Sequence, residues 1–125
     1  MGYEIAVRRE ATGGGGSRHL HDTVAAGDVV DIGGPRNTFT LAPAPEHLFI
    51  AGGIGITALL PMVEQVGRAG TPWRLLYAGR TRSSMAFTQE LARWGSAVQL
   101  FPRDEGPRLD VAAVIAATSP GTKVY

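Results

Sequence analysis

Cysteine is absent from the 125 residues. Its absence excludes, within this chain, a disulfide framework, a thiolate-held iron–sulfur cluster, a cysteine nucleophile and a cysteine-type zinc site. Redox work here would call for a borrowed cofactor. An excess of one charge is also missing, because 12 Lys and Arg against 11 Asp and Glu leave a formal net charge of +1. The densest basic groupings are Arg8-Arg9 and Arg80-x-Arg82, too sparse for a nucleic-acid or anionic-lipid surface. No apolar run approaches the roughly 20 residues that cross a bilayer. The opening Met1-Gly2-Tyr3-Glu4 lacks a basic segment followed by an apolar one. The sequence reads as soluble and cytoplasmic. Its length suits one domain of ordinary size, and 44% hydrophobic against 18% charged residues supply enough apolar surface for a core.

Glycine, by contrast, is abundant: 17 residues, about twice the ~7% of average usage. Four fall in Gly13-Gly14-Gly15-Gly16 and three in Gly52-Gly53-Ile54-Gly55, each where one hydrophobic period gives way to another. Before residue 42 the pattern is β-like. Residues 3–9 alternate Tyr, Ile and Val with Glu, Ala and Arg as a half-buried strand would, and Asp28-Val29-Val30-Asp31-Ile32 reads as a second short strand. Between them Ser17 is placed to cap a helix over 18–24. Gly33-Gly34-Pro35 and the prolines at 43 and 45 mark a connector, which puts a domain boundary between residues 45 and 46.

From residue 47 the period changes. The continuous apolar run 48–51 suits a parallel strand covered on both faces, followed by a helix over 57–68. The alternation then repeats: strand 73–78, helix 84–94 capped by Ser84, strand 97–101, helix 110–117, and a fourth strand opening at 122–125. Strand and helix in strict rotation predict an α/β fold with a parallel, doubly wound sheet. Pro61 fits poorly within the first of these helices and predicts a start near residue 58 or a kink.

The stretch Gly53-Ile54-Gly55-Ile56-Thr57-Ala58 has the spacing Gly-x-Gly-x-x-Ala between a strand and a helix. There the first glycine permits a tight turn, the second lets a pyrophosphate reach the backbone, and the small third residue lets helix pack on strand. The anion would sit on the unpaired amides of the helix N-terminus. The acidic residue that ordinarily binds the ribose at the end of the second strand is missing, because that place reads Ala78-Gly79-Arg80-Thr81-Arg82. The two arginines could face a 2′-phosphate, stack on adenine or be solvated, so NAD and NADP stay open. The earlier loop, Gly15-Gly16-Ser17, also puts glycines and a hydroxyl at a helix start and could hold a phosphate. His19, His21 and Asp22 suggest a metal set, but residues two apart on a helix do not share a face and no further ligand is evident.

Taken together the two loops resemble the phthalate dioxygenase reductase and vanillate demethylase reductase group of the ferredoxin–NADP reductase superfamily. The matching stretches are Gly15-Gly16-Ser17 with Leu20-His21-Asp22, Gly34-Pro35-Arg36-Asn37-x-Phe39, Ala51-Gly52-Gly53-Ile54-Gly55-Ile56-Thr57, and Tyr77 with Gly79-Arg80 before Ala86-Phe87. The resemblance implies a three-part relay: a flavin-binding antiparallel β-barrel holding FMN, a nicotinamide-binding α/β domain and a 2Fe-2S domain, passing electrons from NAD(P)H to an oxygenase. Carried over by position, Gly15, Gly16 and Ser17 would meet the FMN phosphate. Gly52, Gly53, Gly55, Ile56 and Thr57 would line the nicotinamide dinucleotide, and Ala78, Gly79 and Arg80 would lie near the adenosine ribose. No catalytic acid, base or metal is implied.

Residues 1–45 would then be the C-terminal part of the FMN-binding β-barrel, and residues 46–125 a NAD(P)-binding α/β domain. The family's Arg-x-Tyr-Ser stretch would precede this sequence, and its Cys-Gly-Pro loop and ferredoxin domain would follow Val124-Tyr125. The sequence therefore reads as a fragment, incomplete for turnover. Gly14 and Ala58 stand where the family often carries arginine and proline. Two other readings are a non-enzymatic dinucleotide-binding module, and a chain whose exposed strand edges associate with themselves.

Overall fold

Unbroken apolar runs form strands here because both faces of the sheet are covered. Leu48-Phe49-Ile50-Ala51 lies within β1 (His47–Gly52), and Leu75-Leu76-Tyr77 within β2 (Trp73–Gly79). The computed structural model describes residues 2–125, and Met1 lies outside the described residues. The strands β3 (Val98–Pro102) and β4 (Lys123–Val124) complete a four-stranded sheet of order β3-β2-β1-β4. Every pairing is parallel, with His47 opposite both Trp73 and Lys123 and Leu75 opposite Val98. Pairing at β4 runs on through Tyr125, whose N–H donates to the Leu48 carbonyl at 2.9 Å. The parallel α/β sheet expected from the alternation is therefore the observed one.

Helix α2 (Ile56–Ala69) joins β1 to β2 and presents Ile56, Leu59, Met62, Val63 and Val66 to the sheet. These pack on Phe49, Ala51, Leu75 and Tyr77, with Met85 and Leu91 closing the core. Three further helices are short: α1 (Gly16–Asp22), α3 (Thr88–Ala92) and α4 (Val111–Ala116). Because β4 lies beside β1, beyond β2 from β3, the chain must cross back over the sheet through α4. Strand order therefore reverses between β1 and β4. Among the described residues no helix is long and apolar enough to cross a membrane.

The chain divides into two compact units, residues up to Thr40 and residues Leu41–Tyr125. The first carries a correction. Residues 3–9 and 28–32, expected as strands, make no ladder among the described residues. Backbone groups that a ladder would use go instead to side chains of α1. The Val7 carbonyl accepts from His21 Nε2 at 2.6 Å, and Glu10 N–H donates to Ser17 Oγ at 3.1 Å. Ser17 is thus not the cap of α1; Gly15 is, at φ 88, with no side-chain bond.

Two elements of the second unit also differ from expectation. The helix predicted over 84–94 is broken: Arg82–Ser84 is a separate 3-10 turn capped by Thr81, and α3 begins only at Thr88 after Phe87 at φ 63. Met85 causes the break, because its buried side chain fills the space over Gly79, where a Cβ would overlap its Cγ. Helix α2 starts at Ile56, not near 58, and carries Pro61 inside it. The carbonyl four residues back, Thr57, therefore lacks its helical donor.

Candidate functional site

A helix whose first amides are left without a side-chain acceptor offers its positive end to an anion from outside the chain. Helix α2 is such a helix. Its N-cap is Gly55, which makes no side-chain cap bond, and no acidic residue stands in its first turn. Within the same unit α4 shows the alternative, since Asp110 caps it by accepting from Ala113 N–H at 3.0 Å. The helical course before α2 opens as a 3-10 turn over Gly53–Gly55, whose N-cap Gly52 likewise makes no side-chain cap bond.

The glycines of this turn are not there to pack against the protein. A Cβ on Gly52, Gly53 or Gly55 would meet no heavy atom within 4 Å, whereas one on Gly67 would run into Trp94. Gly53 adopts φ 55, in the left-handed region where a side chain is strained. The turn also sits at the carboxyl end of β1, the point where strand order reverses and where open α/β sheets bind ligands. Thr57, half-buried, donates its hydroxyl to the Ile54 carbonyl at 3.0 Å and keeps its oxygen lone pairs. Ile56 is fully buried at 0% exposure, so only its backbone borders the turn. Ala58, expected to let helix approach strand, lies on the exposed side of α2; Ile56 and Leu59 make that contact instead.

At the end of β2 the expected group separates. Ala78 and Gly79 belong to the strand, and Gly79 is used for packing by Met85. Arg80 is exposed and has no hydrogen bond or ion pair among the described residues. Arg82 is taken by Glu105, with Nη2 to Oε2 at 2.6 Å and Nε to Oε1 at 3.0 Å. That hydrogen-bonded pair holds the Glu105 carboxyl below its usual range and raises the Arg82 guanidinium. Sequence reading missed Glu105, which lies 23 residues away and announces itself by no motif. Tyr77 is a core residue, its phenol pushed up by burial.

In the first unit Gly13 and Gly15 take φ 128 and 88, and Ser17 Oγ, while accepting from Glu10, still has its proton to give. His21 and Asp22 are already engaged, the latter by Arg9 at 2.9 and 3.0 Å. The Arg9 hydrogen bonds hold the Asp22 carboxyl below its ordinary value.

No family model matches the chain. It is 46% identical over 98% of its own length to phenoxybenzoate dioxygenase subunit beta of Ectopseudomonas oleovorans. A solved structure of an intact type IV self-sufficient cytochrome P450 monooxygenase superposes with TM-score 0.90 at 45% identity, over 97% of this chain and 16% of the other. The structure of phthalate dioxygenase reductase, described as modular for electron transfer from pyridine nucleotides to 2Fe-2S, superposes with TM-score 0.86 at 35% identity. That match spans 95% of this chain and 39% of the other. Over nearly its whole length the chain is similar to the phthalate dioxygenase reductase group, within the ferredoxin–NADP reductase superfamily. It spans about 39% of the length of the curated relatives it matches. Gly14 and Ala58, the two departures from the group's pattern, are both exposed.

Proposed function

We propose that this chain is the pyridine-nucleotide-binding part of an oxygenase reductase, with the last part of its FMN-binding barrel. The observation that carries the reading is the start of α2, uncapped by any side chain, at the strand-order reversal, fronted by glycines where a Cβ would meet no heavy atom of the described residues within 4 Å. Gly52, Gly53 and Gly55 would hold the nicotinamide dinucleotide along the backbone of the turn, with the backbone of Ile56 beside them. The Thr57 oxygen would accept from the carboxamide, and Ala78, Gly79 and Arg80 would border the adenosine ribose. Gly15, Gly16 and Ser17 would hold the FMN phosphate, the amides and the Ser17 hydroxyl serving as donors.

When bound, the nicotinamide supplies a hydride and the flavin accepts it, to release electrons one at a time. The chain's own residues then need only fix positions and exclude water. The 2Fe-2S centre would belong to residues outside this chain, which holds no cysteine. The acceptor would be an oxygenase or ferredoxin, a reading supported by relatives named for dioxygenase and monooxygenase systems. A reduced pyridine nucleotide as donor favours a cytoplasmic setting.

The test is a pair of titrations on the purified chain, NADH by its own fluorescence and FMN by quenching. Both are expected to saturate. Gly53→Val is expected to weaken NADH at least tenfold and leave FMN unchanged. Flavin emission unmoved at high protein concentration would remove the FMN half of the reading, and NADH affinity equal in Gly53→Val would remove the nucleotide half.

A further inference from the structure

Two loops meet at the carboxyl ends of β2 and β3, and each is fixed by its own backbone. After β2, Thr81 and Ser84 cap each other: Ser84 N–H donates to Thr81 Oγ1 at 3.2 Å and Thr81 N–H to Ser84 Oγ at 3.2 Å. Arg82 is thereby held on the 3-10 turn between them. After β3 the ladder runs one step further, with Arg103 N–H donating to the Gly79 carbonyl at 3.0 Å. Glu105 N–H then turns back to the Pro102 carbonyl at 3.2 Å, which brings the carboxylate onto the Arg82 guanidinium. The fork is two-pronged, with 3.0 Å and 2.6 Å contacts to separate oxygens, the geometry in which Arg binds an oxyanion best.

The end of β2 is where the adenosine ribose of a dinucleotide lies in this type of sheet, and an acidic group there ordinarily separates NAD from NADP. Local sequence offers only Arg80 and Arg82. The fold delivers the missing acid from the next strand and closes it on one of the two arginines. The charged groups of the two loops are Arg80, Arg82, Arg103, Asp104 and Glu105. Of these Arg82 is paired, while Arg80 has no partner among the described residues.

We propose that Glu105 is a specificity-determining residue that favours NADH over NADPH, by occupying the Arg82 fork and by setting a negative charge where a 2′-phosphate would lie. The proposal rests on the nucleotide-binding reading above. A 2′-phosphate competing for Arg82 must displace a carboxylate already seated on both prongs and then stand beside it. A like charge at contact distance in water, together with loss of the fork, amounts to a discrimination of about tenfold.

The test is titration of the full chain with NADH and with NADPH, for the unaltered protein, Glu105→Gln, Arg82→Ala and the double variant. The unaltered chain is expected to bind NADH more tightly. Glu105→Gln frees Arg82 and is expected to raise NADPH affinity about tenfold with NADH within twofold, a gain that shrinks as salt is added. Arg82→Ala and the double variant are expected to show no such gain, because the fork itself is gone. The pair is solvent-exposed, so these variants keep the fold, as circular dichroism would show. An unchanged NADH-to-NADPH ratio in Glu105→Gln, or tighter NADPH in the unaltered chain, overturns the role of Glu105 while leaving the nucleotide site standing. Failure of both nucleotides to bind overturns the site and this role together.

Discussion

Single residues in this chain use the lack of a Cβ for opposite ends. Gly79 lacks one because Met85 fills the space, so Gly79→Ala is expected to destabilise by roughly 1–3 kcal/mol through overpacking. Equal urea midpoints for the variant and the unaltered chain would contradict that packing. Gly53 lacks one for a conformation at φ 55 and for open room in front of it. Arg82 and Glu105 carry a pH consequence. The carboxyl is held down by the Arg82 hydrogen bond, so the contact is present above the ordinary carboxylate range and is lost as pH falls through the lowered value. The Glu105 side-chain carbon, followed by NMR, should titrate below an ordinary glutamate and return toward it in Arg82→Ala; a midpoint at or above the ordinary range would show the pair unformed in solution. Both arginines were visible in the sequence. The partner of Arg82 was not, because a turn following the next strand supplies it.

At the scale of elements, a side-chain cap separates α4, which is closed by one, from α2, which is not. Asp110 closes α4 on Ala113, and Asp110→Ala is expected to cost about 1 kcal/mol, with Asp110→Asn within a few tenths. Thermal midpoints that fall equally for both would point to something other than the cap. The periodicities of β1, α2, β2 and β3 were legible because long apolar stripes have few ways to be buried. Helix α3 was not, since the side chain of Met85 is spent on Gly79 and the helix waits until Thr88. Residues 3–9 alternate as a strand would, yet Val7 and Glu10 give their backbone groups to His21 and Ser17, contacts between residues that periodicity treats separately. Ala58 was read from a motif whose third position packs inward; here it follows Ile56 by two, on the far side of α2.

For the whole molecule the decisive feature is the order of strands, which no local pattern encodes. The alternation of strand and helix announced a parallel sheet, but only the placement of β4 beside β1 puts the strand-order reversal at the glycine turn. The proposed nucleotide-binding end rests on that placement together with the α2 start that no side chain caps. The measurement that bears most directly on this is an amide NMR titration of the chain with NADH. Saturable shifts concentrated at residues 52–57, with a second group at 78–80, are the predicted result. Shifts confined to other elements, or none at millimolar NADH, would contradict the account that these glycine amides grip a pyrophosphate.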